Sequence, residues 1–266
     1  MTDAQWGDFP GRGALVVRGL LDEGWIDVLR GVVDEILDVA ATRNERLGGA
    51  AASRSRSADG IWRTNDRFAR FLEQSPLADA AGTALGSASV TLYEDLFLYT
   101  DPSVPGAPWH RDAPHWPLMG QQICSVWLSL EPVEIDTGAL HFVVGSHHDD
   151  DEVVREEAMT TEVSPEGDRE VVGFATEPGD AIVFHPRIRH AALGAAPERP
   201  RRTFTIRMVG DDVRWRPRSS YYHPWMAESG LQRGDRLAAH PWFPVLRDEH
   251  HPVGRPAPTR PATEGI

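Results

Sequence analysis

The chain carries the run Pro108-Trp109-His110-Arg111-Asp112. It offers an imidazole and a carboxylate two residues apart. In an extended segment such residues point to the same side, so His110 and Asp112 can grip one metal ion from one face. A third ligand has to come from a distant strand. His190 is the choice, because it follows a strand signal, Asp180-Ala181-Ile182-Val183-Phe184, closed by a turn at Pro186. Two histidines and one carboxylate with positions left open make the facial triad of non-haem Fe(II) oxygenases. A single His-x-Asp occurs by chance in many chains, so its weight depends on what surrounds it.

What surrounds it is β-rich. Residues 89–99 form an apolar run of β-prone side chains, and further strand signals fall at 123–130, 139–144, 171–175, 181–185 and 203–209. Short strands separated by Gly, Pro and Asp point to a sandwich or jelly roll. On the N-terminal side, 14–17 reads as a first strand. Residues 21–41 read as an amphipathic helix with Trp25, Ile26, Leu29, Val32, Val33 and Ile36 at the helical period. Residues 42–60, rich in Arg, Ala, Gly and Ser, show no apolar period and read as a long loop, either a lid over a site or a surface segment. Helices are expected over 65–74 and 75–85, the second with Pro76 at its first position. The segment 147–168 is acidic and reads as a solvated insertion. Beyond residue 210 the chain carries Trp215, Tyr221, Tyr222, Trp225, Trp242 and Phe243, too many aromatics for a free linker. Such a tail is expected to wrap the barrel or meet a neighbouring subunit, with a loose end beyond Pro252.

Composition bounds the rest. The 266 residues suit one domain, taken as 1–266, with a jelly-roll core at about 89–210, a helical part at 1–88 and an aromatic-rich extension at 211–266. A net charge of −13 argues against a nucleic-acid partner. The single cysteine, Cys124, excludes an intrachain disulfide and a cysteine-rich zinc site. There is no lysine, which excludes Schiff-base chemistry on a lysine. No run of about 18 apolar residues is present, so no membrane span is expected, and without a basic-then-apolar leader the protein is expected to be cytoplasmic.

The order of motifs resembles the phytanoyl-CoA dioxygenase family of Fe(II)/2-oxoglutarate-dependent oxygenases. The resemblance is carried by residues 108–112, by Gly138-Ala139-Leu140-His141-Phe142-Val143-Val144-Gly145-Ser146-His147, by Pro178-Gly179-Asp180 leading to His185 and His190, and by 201–207. It implies a double-stranded β-helix, a cupin-like jelly roll, mainly β with flanking helices. It also implies Fe(II) held by His110, Asp112 and His190, with 2-oxoglutarate as co-substrate and O₂ as oxidant. His185 competes with His190 because it follows the strand directly. The family pattern places the ligand at the second histidine of the Phe-His-(four residues)-His run, which is His190. Planar, permanently charged arginine suits the far carboxylate of the co-substrate; the family position corresponds to Arg201. Arg202 is expected on the opposite face, whereas Arg207 shares the side of Arg201. Trp127 matches a tryptophan beside the co-substrate, and a plain core role fits it equally.

The chain departs from the family at two positions. Ala192 stands where many members have serine or threonine, and no lysine lies near Thr100. Related halogenases replace the carboxylate of the triad with a small residue, so Asp112 argues for hydrogen abstraction leading to hydroxylation or a related oxidation such as epimerisation, desaturation or ring closure. Bacterial members often tailor small metabolites, including antibiotics, and that is the expected substrate class. Two other readings stay open at this point: a 2-oxoglutarate-independent cupin metalloenzyme, which would not need Arg201, and a jelly-roll binding protein with a dead metal site.

Overall fold

Alternation along the strands sorts the side chains onto two faces, and the fold follows from what covers each. The computed structural model describes residues 7–46, 55–102, 104, 106–150, 168–194, 198–218 and 225–250. In chain order the strands are β1 (Ala14–Val17), β2 (Ser55–Asp59), β3 (Ser89–Thr100), β4 (Leu118–Met119), β5 (Ile123–Ser129), β6 (Thr137–Val143), β7 (Val171–Phe174), β8 (Ala181–Phe184), β9 (His190–Gly194), β10 (Arg201–Val209), β11 (Arg214–Trp215) and β12 (Val245–Asp248). The helices are α1 (Phe9–Arg12), α2 (Glu23–Arg46), α3 (Ile61–Thr64), α4 (Asp66–Gln74), α5 (Leu77–Leu85) and α6 (Trp225–Glu228).

The larger sheet runs β1-β8-β5-β10-β3-β12, with β2 also paired to β3; the smaller runs β7-β6-β9. Neighbours are antiparallel throughout these two sheets. The architecture is a cupin-like jelly roll, mainly β with flanking helices. Even-numbered side chains of β5 and β10, such as Val126, Leu128, Phe204 and Ile206, pack with Leu29, Phe68 and Phe71 of the helices. Odd-numbered ones turn inward, where Trp127, Phe142, Ile182 and Phe184 join the two sheets in a second core. β5 is buried along its whole length because both faces are covered.

The helices form where the sequence pattern places them. In α2, Ile26, Leu29, Val32 and Val33 are fully buried on one stripe. Asn65 caps α4 by accepting the Phe68 N–H at 2.9 Å. α5 starts after Pro76, which is its N-cap, and ends on left-handed Gly86. The expected loop over 42–60 is corrected. α2 continues to Arg46, and Ser55–Asp59 forms an edge strand on β3. Its exposed Ser57 and Asp59 need no apolar side chains, so the strand left no hydrophobic pattern. Residues 47–54, where the rest of the lid reading falls, lie outside the described residues, as does most of the acidic insertion. The C-terminal extension wraps back. β12 pairs with β3, and Trp215, Met226, Leu237 and Phe243 pack against Tyr93, Trp116 and Ile123.

Candidate metal centre and co-substrate site

The three candidate ligands are drawn together by backbone pairing. His110 and His190 form an isolated antiparallel bridge in which each N–H donates to the other's carbonyl at 2.9 Å. Just beyond it, the N–H groups of Asp112 and Ala113 both donate to the Pro186 carbonyl at 3.0 Å. The turn that precedes His190 therefore fixes the backbone of Asp112. Between the two candidate ligands Arg111 points the other way and is buried. Its guanidinium donates to the Ser146 carbonyl and to Asp149 Oδ2, both at 2.6 Å, pinning the motif to the turn after β6.

Ligand atoms of His110, Asp112 and His190 all lie within 4.8 Å of one another. Asp112 Oδ1 is 3.6 Å from His110 Nε2 and 3.9 Å from His190 Nε2. The other ring nitrogens are tied to carbonyls: His110 Nδ1 to Pro108 at 2.7 Å and His190 Nδ1 to Ile188 at 3.0 Å. Those bonds require Nδ1–H, which leaves both Nε2 lone pairs facing the carboxylate. This donor set, two neutral imidazoles and one carboxylate, fits a divalent first-row metal. Burial between Phe142 and Phe184 pushes His190 down to about 4, with Asp112 opposing the shift. Burial alone would raise Asp112; Arg207, then His190 and His110, more than reverse it and hold the carboxyl below its usual range.

His185 is placed elsewhere. Its Nε2 meets the Gln121 carbonyl at 3.2 Å and its Nδ1 accepts the Arg187 N–H at 3.1 Å, so both nitrogens are engaged. Its ring lies 5.2 Å from that of His147.

Arg201 and Arg202 separate as strand alternation requires. Arg202 faces Glu131, with Nε and Nη2 each 2.6 Å from Oε1. Arg201 is half-buried on the other side, where Nη1 donates to the Gly138 carbonyl at 2.8 Å. No carboxylate pairs with it among the described residues, and burial pushes its pKa down, with Glu131 opposing. Gly138 sits at φ 91°, and a Cβ there would run into Arg201 Nη1. Only glycine suits both demands. Trp127 is buried between the sheets, with Ala139 and Leu140 in the same cluster. Arg207, on the same side of β10 as Arg201, bonds to Glu94 and places Nη2 at 3.6 Å from Asp112 Oδ2. Glu94, Gly138 and Arg111 had no role assigned from sequence. Glu94 had a usable signal, since Glu94-Asp95 interrupts an otherwise apolar strand. Cavities of about 250 Å³ beside Trp116 and about 410 Å³ beside His185 lie near the motif, but neither is lined by a triad residue.

A family model for phytanoyl-CoA dioxygenase matches residues 9–203. The chain belongs to the phytanoyl-CoA dioxygenase family. Solved structures agree with this family's fold. The α-ketoglutarate-dependent carbocyclase SnoK from nogalamycin biosynthesis is 19% identical, with a TM-score of 0.71 over 92% of this chain and 96% of its own. The epimerase SnoN from the same biosynthesis is 20% identical, with a TM-score of 0.70 over 92% and 98%. EctD from S. alaskensis is 20% identical, with a TM-score of 0.66 over 85% and 82%. No curated protein matches the chain. Members of the phytanoyl-CoA dioxygenase family are Fe(II)/2-oxoglutarate-dependent oxygenases, and this chain is an enzyme of that class.

Proposed function

We propose that the protein binds Fe(II) through His110, Asp112 and His190 and 2-oxoglutarate through Arg201, and oxidises a small organic metabolite. The observation that carries this reading is the convergence of the three donors within 4.8 Å in a chain that also presents Arg201 without a carboxylate partner among the described residues. Bound iron, with O₂ as oxidant and 2-oxoglutarate as the two-electron reductant that becomes succinate and CO₂, would supply the chemistry that removes hydrogen from the substrate. The chain's own part is to hold and to exclude. The two Nδ1–H bonds to carbonyls aim Nε2 inward. The Gly138 carbonyl orients the Arg201 guanidinium, whose remaining donors suit the far carboxylate of the co-substrate in a bidentate grip. Trp127, Phe142 and Phe184 pack as an apolar cluster between the sheets.

The substrate side is consistent with a small apolar molecule. Leu98 is in register with inward-facing Thr203 and is 37% exposed, so an apolar side chain lies open beside the site. SnoK and SnoN come from the biosynthesis of an antibiotic-type metabolite, nogalamycin; a related tailoring role is the reading taken here. Hydroxylation, epimerisation, desaturation and ring closure all start from the same hydrogen removal. We place the whole chain in one oxygenase domain, working in the cytoplasm; among the described residues no helix is long and apolar enough to cross a membrane.

The test is 2-oxoglutarate turnover. Succinate release should require Fe(II). Losing Arg201 strands a carboxylate in a partly desolvated pocket at about 3 kcal/mol, so Arg201→Gln should weaken apparent co-substrate affinity on the order of a hundredfold. Arg202→Gln should change it less than about threefold. Equal effects at the two positions, or none, would sink the assignment and favour a 2-oxoglutarate-independent cupin metalloenzyme.

A further inference from the structure

The strand pairing between β3 and β10 slips at one point. Arg207 is opposite Glu94 and Met208 is opposite Leu92, leaving Tyr93 as the extra residue. Such a bulge re-aims side chains and is enriched beside active sites. Here it turns two successive residues toward the interior. Tyr93 joins Trp116, Val209 and Phe243, while Glu94 grips Arg207.

Arg207 is held on three sides. Nη1 donates to Glu94, Nη2 approaches Asp112 Oδ2 at 3.6 Å, and the guanidinium lies over the Trp116 ring, 4.9 Å from its centroid. Arg207 and its two carboxylate partners are largely buried: side-chain exposure is 14% for Arg207, 7% for Glu94 and 13% for Asp112. Arg207 Nε and the Oγ of Ser125, its cross-strand neighbour, are both buried without a hydrogen-bond partner.

We infer that Arg207 is a positioning residue for the metal site: it engages Asp112 Oδ2 and so leaves Oδ1 as the one oxygen offered to the metal. The geometry favours this division, because Oδ1 is the oxygen facing both Nε2 atoms and Oδ2 the one facing the guanidinium. A carboxylate free to bind through both oxygens would occupy a further coordination position. A three-ligand site must leave adjacent positions open for a chelating keto acid and O₂, so one-oxygen binding protects access of the co-substrate. Through Trp116 and Tyr93 the same arginine links the ligand to the C-terminal aromatic cluster.

This rests on the metal reading above, and the experiment separates the two. The metal-free protein is titrated with Co(II), whose visible d–d bands change in intensity with coordination number, before any 2-oxoglutarate is added. Arg207→Gln should alter the band intensities and weaken later 2-oxoglutarate chelation by about 10- to 100-fold, the usual cost of losing a group that orients a ligand. Glu94→Gln should alter the bands in the same direction but less. Arg207→Lys should recover most of the native spectrum by returning a cation to Oδ2. Arg201→Gln should leave the bands unchanged at this stage. Native bands in both Arg207→Gln and Glu94→Gln overturn the inference. If Arg207→Gln fails to fold by thermal melting, Glu94→Gln and Arg207→Lys decide. Failure of the unmodified protein to take Co(II) overturns the metal reading and this inference together.

Discussion

Asp112 meets four partners: the two imidazoles, Arg207 and the Pro186 turn that fixes its backbone. Asp112→Ala should therefore abolish measurable Fe(II) binding and turnover, as read by metal titration; near-native turnover in this variant would exclude the triad. His190→Ala should do the same. His185→Ala should keep iron affinity within about threefold, since both its ring nitrogens are engaged away from the triad, although stability will fall with the loss of a buried side chain. Gly138→Ala tests the other half of the site. A methyl group there displaces Arg201, so 2-oxoglutarate affinity should fall about tenfold or more while iron affinity stays unchanged; a native co-substrate affinity would show that Arg201 is not the anchor. The side assignments of Arg201, Arg202 and Arg207 were legible in the sequence, because strand alternation is a local rule. The partners were not. That Arg202 meets Glu131 and that Arg207 meets Glu94 depend on pairings between distant strands and on a bulge that no composition signals.

At the scale of elements, the strands and helices with a clear apolar period were legible: α2, α4, β3, β5, β8 and β10 lie within a few residues of where the pattern put them. Three were not. β2 is polar because it is an edge, β9 is short and alanine-rich because it packs under Phe142 and Trp109, and β12 is recruited from the aromatic tail. β9 matters most, since His190 is its first residue and its pairing with β6 places that candidate ligand. The tail's aromatic content did signal burial. Phe243 stacks on Tyr93 with ring centroids 6.1 Å apart and is fully buried. Phe243→Ala should cost about 3–5 kcal/mol in chemical unfolding; a loss under about 1 kcal/mol would show that the extension is not part of the cooperative unit.

For the molecule as a whole, burial sets the acid response. His185 is pushed down to about 3 and His190 to about 4, burial being the largest cause in each. The folded protein keeps both neutral while the unfolded chain takes up protons below about pH 6.5. Stability of the metal-free protein should therefore fall as pH drops from about 6.5 toward 4, by up to about 1.4 kcal/mol per unit for each histidine. Buried Asp95, raised to about 7 by burial, works in the opposite direction across that window, because the folded state favours its protonated form. His185→Gln should flatten the loss, and an unchanged slope in urea midpoints would contradict the assignment. The fold class was legible from strand spacing, and the meeting of His110, Asp112 and His190 from His-x-Asp with a distant histidine. The buried interior between the sheets, which shifts the pKa values of those groups, belongs only to the assembled molecule. On the proposal above, this interior holds Fe(II) and 2-oxoglutarate on one set of residues. The most direct test is anaerobic: Fe(II) is added to the metal-free protein, then 2-oxoglutarate, while the visible charge-transfer band of a chelated keto acid is followed. A band that appears only with both, saturates at one equivalent of each, and is lost in Asp112→Ala and right-shifted in Arg201→Gln titrations is the predicted result. Iron binding with no band at saturating 2-oxoglutarate would contradict it.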